Sequence, residues 1–154
     1  PDFLVLDEPV SNLDVSIQAQ IINLLMDLKT ELALTYLFIS HDLNLVAYLS
    51  DRIGVMYMGR LMDVAATEQI MAHPCHPYTL RLFSAVPGKQ TASAASDVGG
   101  EGPAAQYLQS SKAARVTAGC PYATVCALAE TSCSEADPEL REIGPGHQVA
   151  CFKV

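Results

Sequence analysis

Asp7 and Glu8 stand side by side at the end of the apolar run Phe3-Leu4-Val5-Leu6, and Ser40-His41-Asp42 closes a second such run that begins at Tyr36. A short continuous apolar run reads as a buried strand of a parallel sheet, so the acids sit at a strand's C-terminal end. One loop and one helical segment separate the two runs. The order strand, helix, strand implies a parallel crossover that brings Asp7, Glu8 and His41 to one sheet edge. Open α/β sheets bind ligands at that edge. Taken alone, each of these residues also fits a solvated loop. A second set is Cys120, Cys126, Cys133 and Cys151, spaced C-x5-C-x6-C-x17-C. Four thiolates can enclose zinc or a 4Fe-4S iron-sulfur cluster. Zinc sites usually carry tight C-x2-4-C knuckles, which are missing here, so the spacing suits a cluster better, with four reduced structural thiols as the alternative. Cys75 lies apart and reads as an incidental thiol, and His73, His76 and His147 read as capped or surface residues.

The elements that must position these residues follow from periodicity. Asp14 is placed to N-cap a helix whose apolar face is Ile17, Ile21, Leu24, Leu25, Leu28 and Leu32. A second amphipathic segment follows Asp42 through Leu49. Residues 53–58 and 61–64 flank Gly59-Arg60 as a hairpin, residues 67–71 form a short capped helix, and another helix starting at Pro77 buries Leu80, Phe83 and Val86. Residues 87–118 are rich in Ala, Ser, Gly, Gln and Thr and read as a linker. Beyond Gly119, turn formers and cysteines mark a separate, irregular tail. The expected plan is therefore α/β, with domain 1–87, linker 88–118 and a cysteine-rich extension 119–154.

With 154 residues, half of them hydrophobic, the chain can pack a core, and its net charge of −8 argues against a broad basic surface for nucleic acid or anionic lipid. No apolar run reaches bilayer length, and the basic, apolar and small-residue regions of a signal peptide are absent, so a cytosolic location is expected, with docking on a membrane protein left open. The start at Pro1, running straight into a strand, reads as a truncation.

The motifs resemble a known family. Phe3 to Pro9 looks like the Walker B strand of ATP-binding-cassette (ABC) ATPases, a branch of the P-loop NTPases; Ser11-Asn12-Leu13-Asp14 looks like their D-loop, and Phe38 to Asp42 like their switch-histidine segment. Asp14 to Gln20, Tyr36 to Leu43, Asp51 to Arg60, and above all His76-Pro77-Tyr78-Thr79 followed by Phe83-Ser84-Ala85-Val86-Pro87, narrow the resemblance to the ATPase subunits of oligopeptide and dipeptide importers, leaning to the F-type subunit. The cysteine tail, with Glu142 to His147 between its third and fourth cysteines, resembles the C-terminal extension of some of these subunits, which implies an iron-sulfur cluster on Cys120, Cys126, Cys133 and Cys151.

The resemblance implies that Asp7 holds Mg²⁺ through water, Glu8 is the general base, His41 donates to the γ-phosphate of ATP, and Ser11 and Asp14 lie where two cassettes meet. It implies a second ABC ATPase subunit and two membrane permease subunits as partners, no nucleic acid, and a peripheral position on the cytoplasmic side of the inner membrane. Asn12 replaces the family's usual Ala. The phosphate-binding G-x-x-x-x-G-K-[ST] loop, the Q-loop and the Ser-Gly-Gly signature are absent from these residues, so the chain alone is expected to be inactive. A soluble cassette ATPase of DNA repair or translation, and a stand-alone iron-sulfur or zinc interaction module, are the competing readings.

Overall fold

Phe3–Asp7 (β1) and Thr35–Ile39 (β2) pair in parallel, with Phe3 opposite Thr35 and Asp7 opposite Ile39. They belong to the first of two units, residues 1–53 and 54–154, in a computed structural model that describes residues 1–85 and 118–154. The crossover is α1 (Val15–Glu31), opened as expected by the Asp14 carboxylate, which accepts the Ile17 N–H at 3.0 Å. Leu4, Leu6, Tyr36 and Phe38 share a half-buried face, and the Tyr36 hydroxyl donates to Leu25 O of α1 at 3.0 Å, so α1 covers that side. The opposite face is open: Phe3 and Val5 are 54% and 53% exposed, with Leu37 and Ile39 beside them. The two runs read as buried strands are thus covered on one face only among the described residues. On α1 the inward stripe is Ile21, Ile22, Leu25 and Leu28, whereas Ile17, Leu24 and Leu32 are exposed. Helix α2 (Leu43–Leu49) follows β2.

The second unit is built on a four-stranded sheet of order β3-β4-β6-β5, comprising Arg52–Tyr57 (β3), Arg60–Ala66 (β4), Arg141–Gly144 (β5) and His147–Val149 (β6). The β3–β4 turn is Met58-Gly59, both at positive φ (48° and 80°), the mirror-type turn that matches the right-handed twist of paired strands. Helices α3 (Thr67–Ala72) and α4 (Pro77–Ser84) pack on β4, and α4 buries Thr79 and Phe83 while the expected Leu80 points outward. The tail is more regular than its composition suggests. It contains a 3-10 turn (Ala123–Val125), a short helix α5 (Thr131–Glu135) and the β5–β6 hairpin, and β6 adds antiparallel to β4 with Asp63 opposite Val149. Residues 86–117, which include Val86, Pro87 and most of the expected linker, lie outside the described residues.

Candidate functional site

Since β1 and β2 run in the same direction, both end at one sheet edge, and Glu8 and His41 lie just past it. The Glu8 N–H donates to Ile39 O at 2.9 Å and carries the ladder one residue beyond the strand, where the chain turns with Glu8 at φ 45°. A left-handed conformation costs a residue with a Cβ about 1–2 kcal/mol, so the turn must be held from outside. Ser11 does this through its hydroxyl, which donates to Glu8 O at 3.1 Å, and Gln18 of α1 ties down the rest of the loop by donating to Val10 O and Leu13 O, each at 3.0 Å. The Glu8 carboxylate then faces His41, with Oε1 and Nδ1 3.0 Å apart and both side chains open to solvent.

Ser40 and Asp42 are taken up locally. Ser40 Oγ accepts the Asp42 N–H at 3.1 Å, and the Asp42 carboxylate accepts the Asn44 and Leu45 N–H groups at 3.0 and 3.2 Å to cap α2. His41 and Glu8 remain as the facing pair, with the exposed Asp7 beside them at the end of β1. A carboxylate bonded to an imidazole at an open edge can accept a proton from water, and Asp7 offers the oxygen donor a hard cation prefers.

In the second unit, Cys120, Cys126, Cys133 and Cys151 are free thiols that all line one small cavity of about 20 Å³, room for about one water-sized atom. Gly119, at φ 88°, turns the chain so that the Cys120 N–H reaches Cys133 O at 2.7 Å. The 3-10 turn brings Cys126 round, α5 carries Cys133, and Ala150, donating to Met62 O at 2.9 Å, delivers Cys151 from the end of β6. Burial pushes the Cys120 and Cys151 thiols above their ordinary range, against the opposing backbone N–H groups of Tyr122 and Lys153. Tyr122 closes one side, edge-on to Tyr57 with centroids 5.4 Å apart. Among the described residues no group of three or more His, Cys, Asp or Glu side chains is disposed as a metal site, so the expected four-cysteine ligand set is gathered around a cavity but not preformed.

The sequence reading missed Asp63, which is fully buried on β4. Its Oδ2 accepts the N–H groups of Cys75 and His76, each at 3.0 Å, and its Oδ1 lies 2.7 Å from His147 Nε2. His76 Nδ1 in turn accepts the Tyr78 N–H at 3.0 Å and caps α4, with Pro77 at the first helical position. His73 is exposed and His76 is a capping residue, both within the expected reading, although His76 is only 1% exposed; His147, 3% exposed and bonded to Asp63, is neither capping nor on the surface, which corrects its assignment. The available signal was an acid inside the apolar strand Leu61-Met62-Asp63-Val64, since a carboxylate buried in a sheet requires partners.

Burial holds the His76 imidazole below its ordinary range, with the Asp63 charge acting in the opposite direction. A depressed histidine binds its proton more tightly unfolded than folded. Its contribution is therefore present above the unfolded value, about 6.5, and is lost as pH falls below that value towards the folded one. The second unit is expected to lose stability as pH drops below about 6.5. His76→Gln should flatten that slope, as read from urea midpoints across the range.

Residues 62–133 match the family described as the C-terminal region of oligopeptide/dipeptide transporters. Nearly the whole chain is similar to ATP-binding proteins of oligopeptide and dipeptide import, the proteins its motifs resemble. It is 46% identical to a peptide import ATP-binding protein of Brucella ovis, over 99% of the chain and 46% of that protein. It is 43% identical to the oligopeptide transport ATP-binding protein AppF of Bacillus subtilis, over 98% of the chain and 45% of that protein. With the dipeptide transport ATP-binding protein DppF of Haemophilus influenzae the identity is 41%, over 100% of the chain and 45% of that protein. The chain thus spans about half the length of the curated relatives it matches. Among the described residues no helix is long and apolar enough to cross a membrane.

Proposed function

We propose that the chain carries half of the nucleotide site of an ABC-type ATPase that drives import of oligopeptides or dipeptides. The observation that carries this reading is the Glu8–His41 contact of 3.0 Å at the C-terminal edge of parallel strands, in a chain homologous to peptide-import ATP-binding proteins. Asp7 suits Mg²⁺, which when bound offsets charge on the β- and γ-phosphates of ATP. Glu8 takes the proton of the attacking water. His41 holds that carboxylate through Nδ1–H, so Nε2 donates to the γ-phosphate when the ring carries both protons. Ser11 and Asp14, besides their local bonds, face the second ABC ATPase subunit.

On this reading the intact protein works with that second subunit and two membrane permease subunits, peripherally on the cytoplasmic side of the inner membrane. The F-type assignment rests on the residues around Phe38 and Arg52. Residues 1–87 supply the ATPase portion and 119–154 the extension. Cys120, Cys126, Cys133 and Cys151 supply the sulfur donors a 4Fe-4S cluster takes and line one cavity, which would have to widen well beyond its room for about one water-sized atom to admit the group. The cluster would staple the tail rather than transfer electrons.

The test is ATP hydrolysis by the intact protein with its partner subunits. His41→Ala is expected to lower turnover about 10²-fold or more. Turnover at the wild-type level would remove His41 from the site.

A further inference from the structure

We propose that Asp63 is the positioning residue of the four-thiol cavity, its buried carboxylate setting two of the walls. The proposal deepens the reading of that cavity as a ligand site and rests on it. One arm is Oδ2, which holds the Cys75 and His76 N–H groups at 3.0 Å and so fixes the turn into α4; His76 and Pro77 from this turn line the cavity. The other arm is Oδ1, 2.7 Å from His147 Nε2 at the start of β6. From there the register places Val149 opposite Asp63, Ala150 bonds to Met62 O, and Cys151 follows into the cavity. A third tie comes from the same strand, where Arg60 Nη1 reaches Asp137 Oδ1 at 2.6 Å and Gly119 O at 3.3 Å. That pair is half exposed and screened by solvent, whereas removing Asp63 takes the acceptor from the buried His76 N–H and His147 Nε2.

The chemistry distinguishes two substitutions. A carboxylate accepts at both oxygens, so His147 carries its proton on Nε2. In Asp63→Asn the amide oxygen keeps the two backbone donors, and the NH₂ group donates to Nε2 once the ring moves its proton to Nδ1. Asp63→Ala offers neither arm, and His147→Ala removes only the arm that leads to Cys151.

The test is site-resolved alkylation of the metal-free 154-residue chain by iodoacetamide, read by mass spectrometry. His147→Ala is expected to speed alkylation of Cys151 about tenfold, with Cys120 and Cys133 near wild type. Asp63→Ala should speed alkylation of Cys151 at least as much as His147→Ala does, and Asp63→Asn should stay within about twofold of wild type. A general loosening would instead raise all four thiols in parallel. That parallel rise in His147→Ala, or wild-type rates in Asp63→Ala, would overturn the proposal; His147→Ala decides if Asp63→Ala does not fold. Titration with cobalt(II), followed by its thiolate charge-transfer absorption, separates the underlying reading. Wild-type protein that gives no such absorption refutes the ligand site, while the alkylation pattern still decides the role of Asp63. Where wild type binds, His147→Ala should bind about tenfold more weakly, and equal affinity would overturn the proposal.

Discussion

Glu8→Gln is expected to slow ATP turnover by the intact protein about 10²–10⁴-fold while leaving ATP binding within a few-fold of wild type. An amide cannot take the proton of an attacking water, yet its oxygen can still accept the Nδ1–H of His41, so the 3.0 Å contact and the turn at φ 45° have no reason to change. The substitution therefore separates chemistry from architecture. His41→Ala removes the contact as well and should additionally loosen the Glu8 carboxylate. Phosphate release and nucleotide binding, measured side by side, distinguish the cases, and Glu8→Gln turnover close to wild type would exclude Glu8 as the base.

Gly119→Ala is expected to destabilise the second unit by about 2–4 kcal/mol. Gly119 sits at φ 88°, and a Cβ there would lie 2.7 Å from both Cys133 O and Ser134 O. Both atoms are backbone, so no flexible side chain can move aside, and the Cys120 N–H bond to Cys133 O depends on the same approach. Gly146 is the control: φ is 70°, nothing lies within 4 Å of its virtual Cβ, and Gly146→Ala should cost only about 1–2 kcal/mol from conformation alone. Urea unfolding of both variants checks the difference. Equal losses would mean that the close approach at Gly119 contributes nothing.

Local signals in the sequence carried much of the first unit. Asp14 announced α1 because an N-cap acts over three residues, and the ends of Phe3–Asp7 and Thr35–Ile39 placed Glu8 and His41 together because a parallel crossover allows little else. Which faces are covered was not legible. Alternate residues of β1 and β2 are exposed because coverage depends on what packs there, and an apolar run of five does not say. The tail hairpin was missed for a related reason. Arg141–Gly144 and His147–Val149 are short and weakly alternating, and they are strands because β6 finds β4, more than 80 residues earlier in the chain. Asp63, His76 and His147 likewise draw their meaning from partners distant in sequence.

The central claim is tested most directly by peptide uptake. In cells lacking the gene for the intact protein, uptake of a labelled di- or oligopeptide is expected to fall to background while uptake of the free amino acid is unchanged. Wild-type protein should restore peptide uptake and Glu8→Gln, expressed to the same level, should not. Peptide uptake that survives the deletion, or that Glu8→Gln restores fully, would contradict an ATPase of peptide import working through this site.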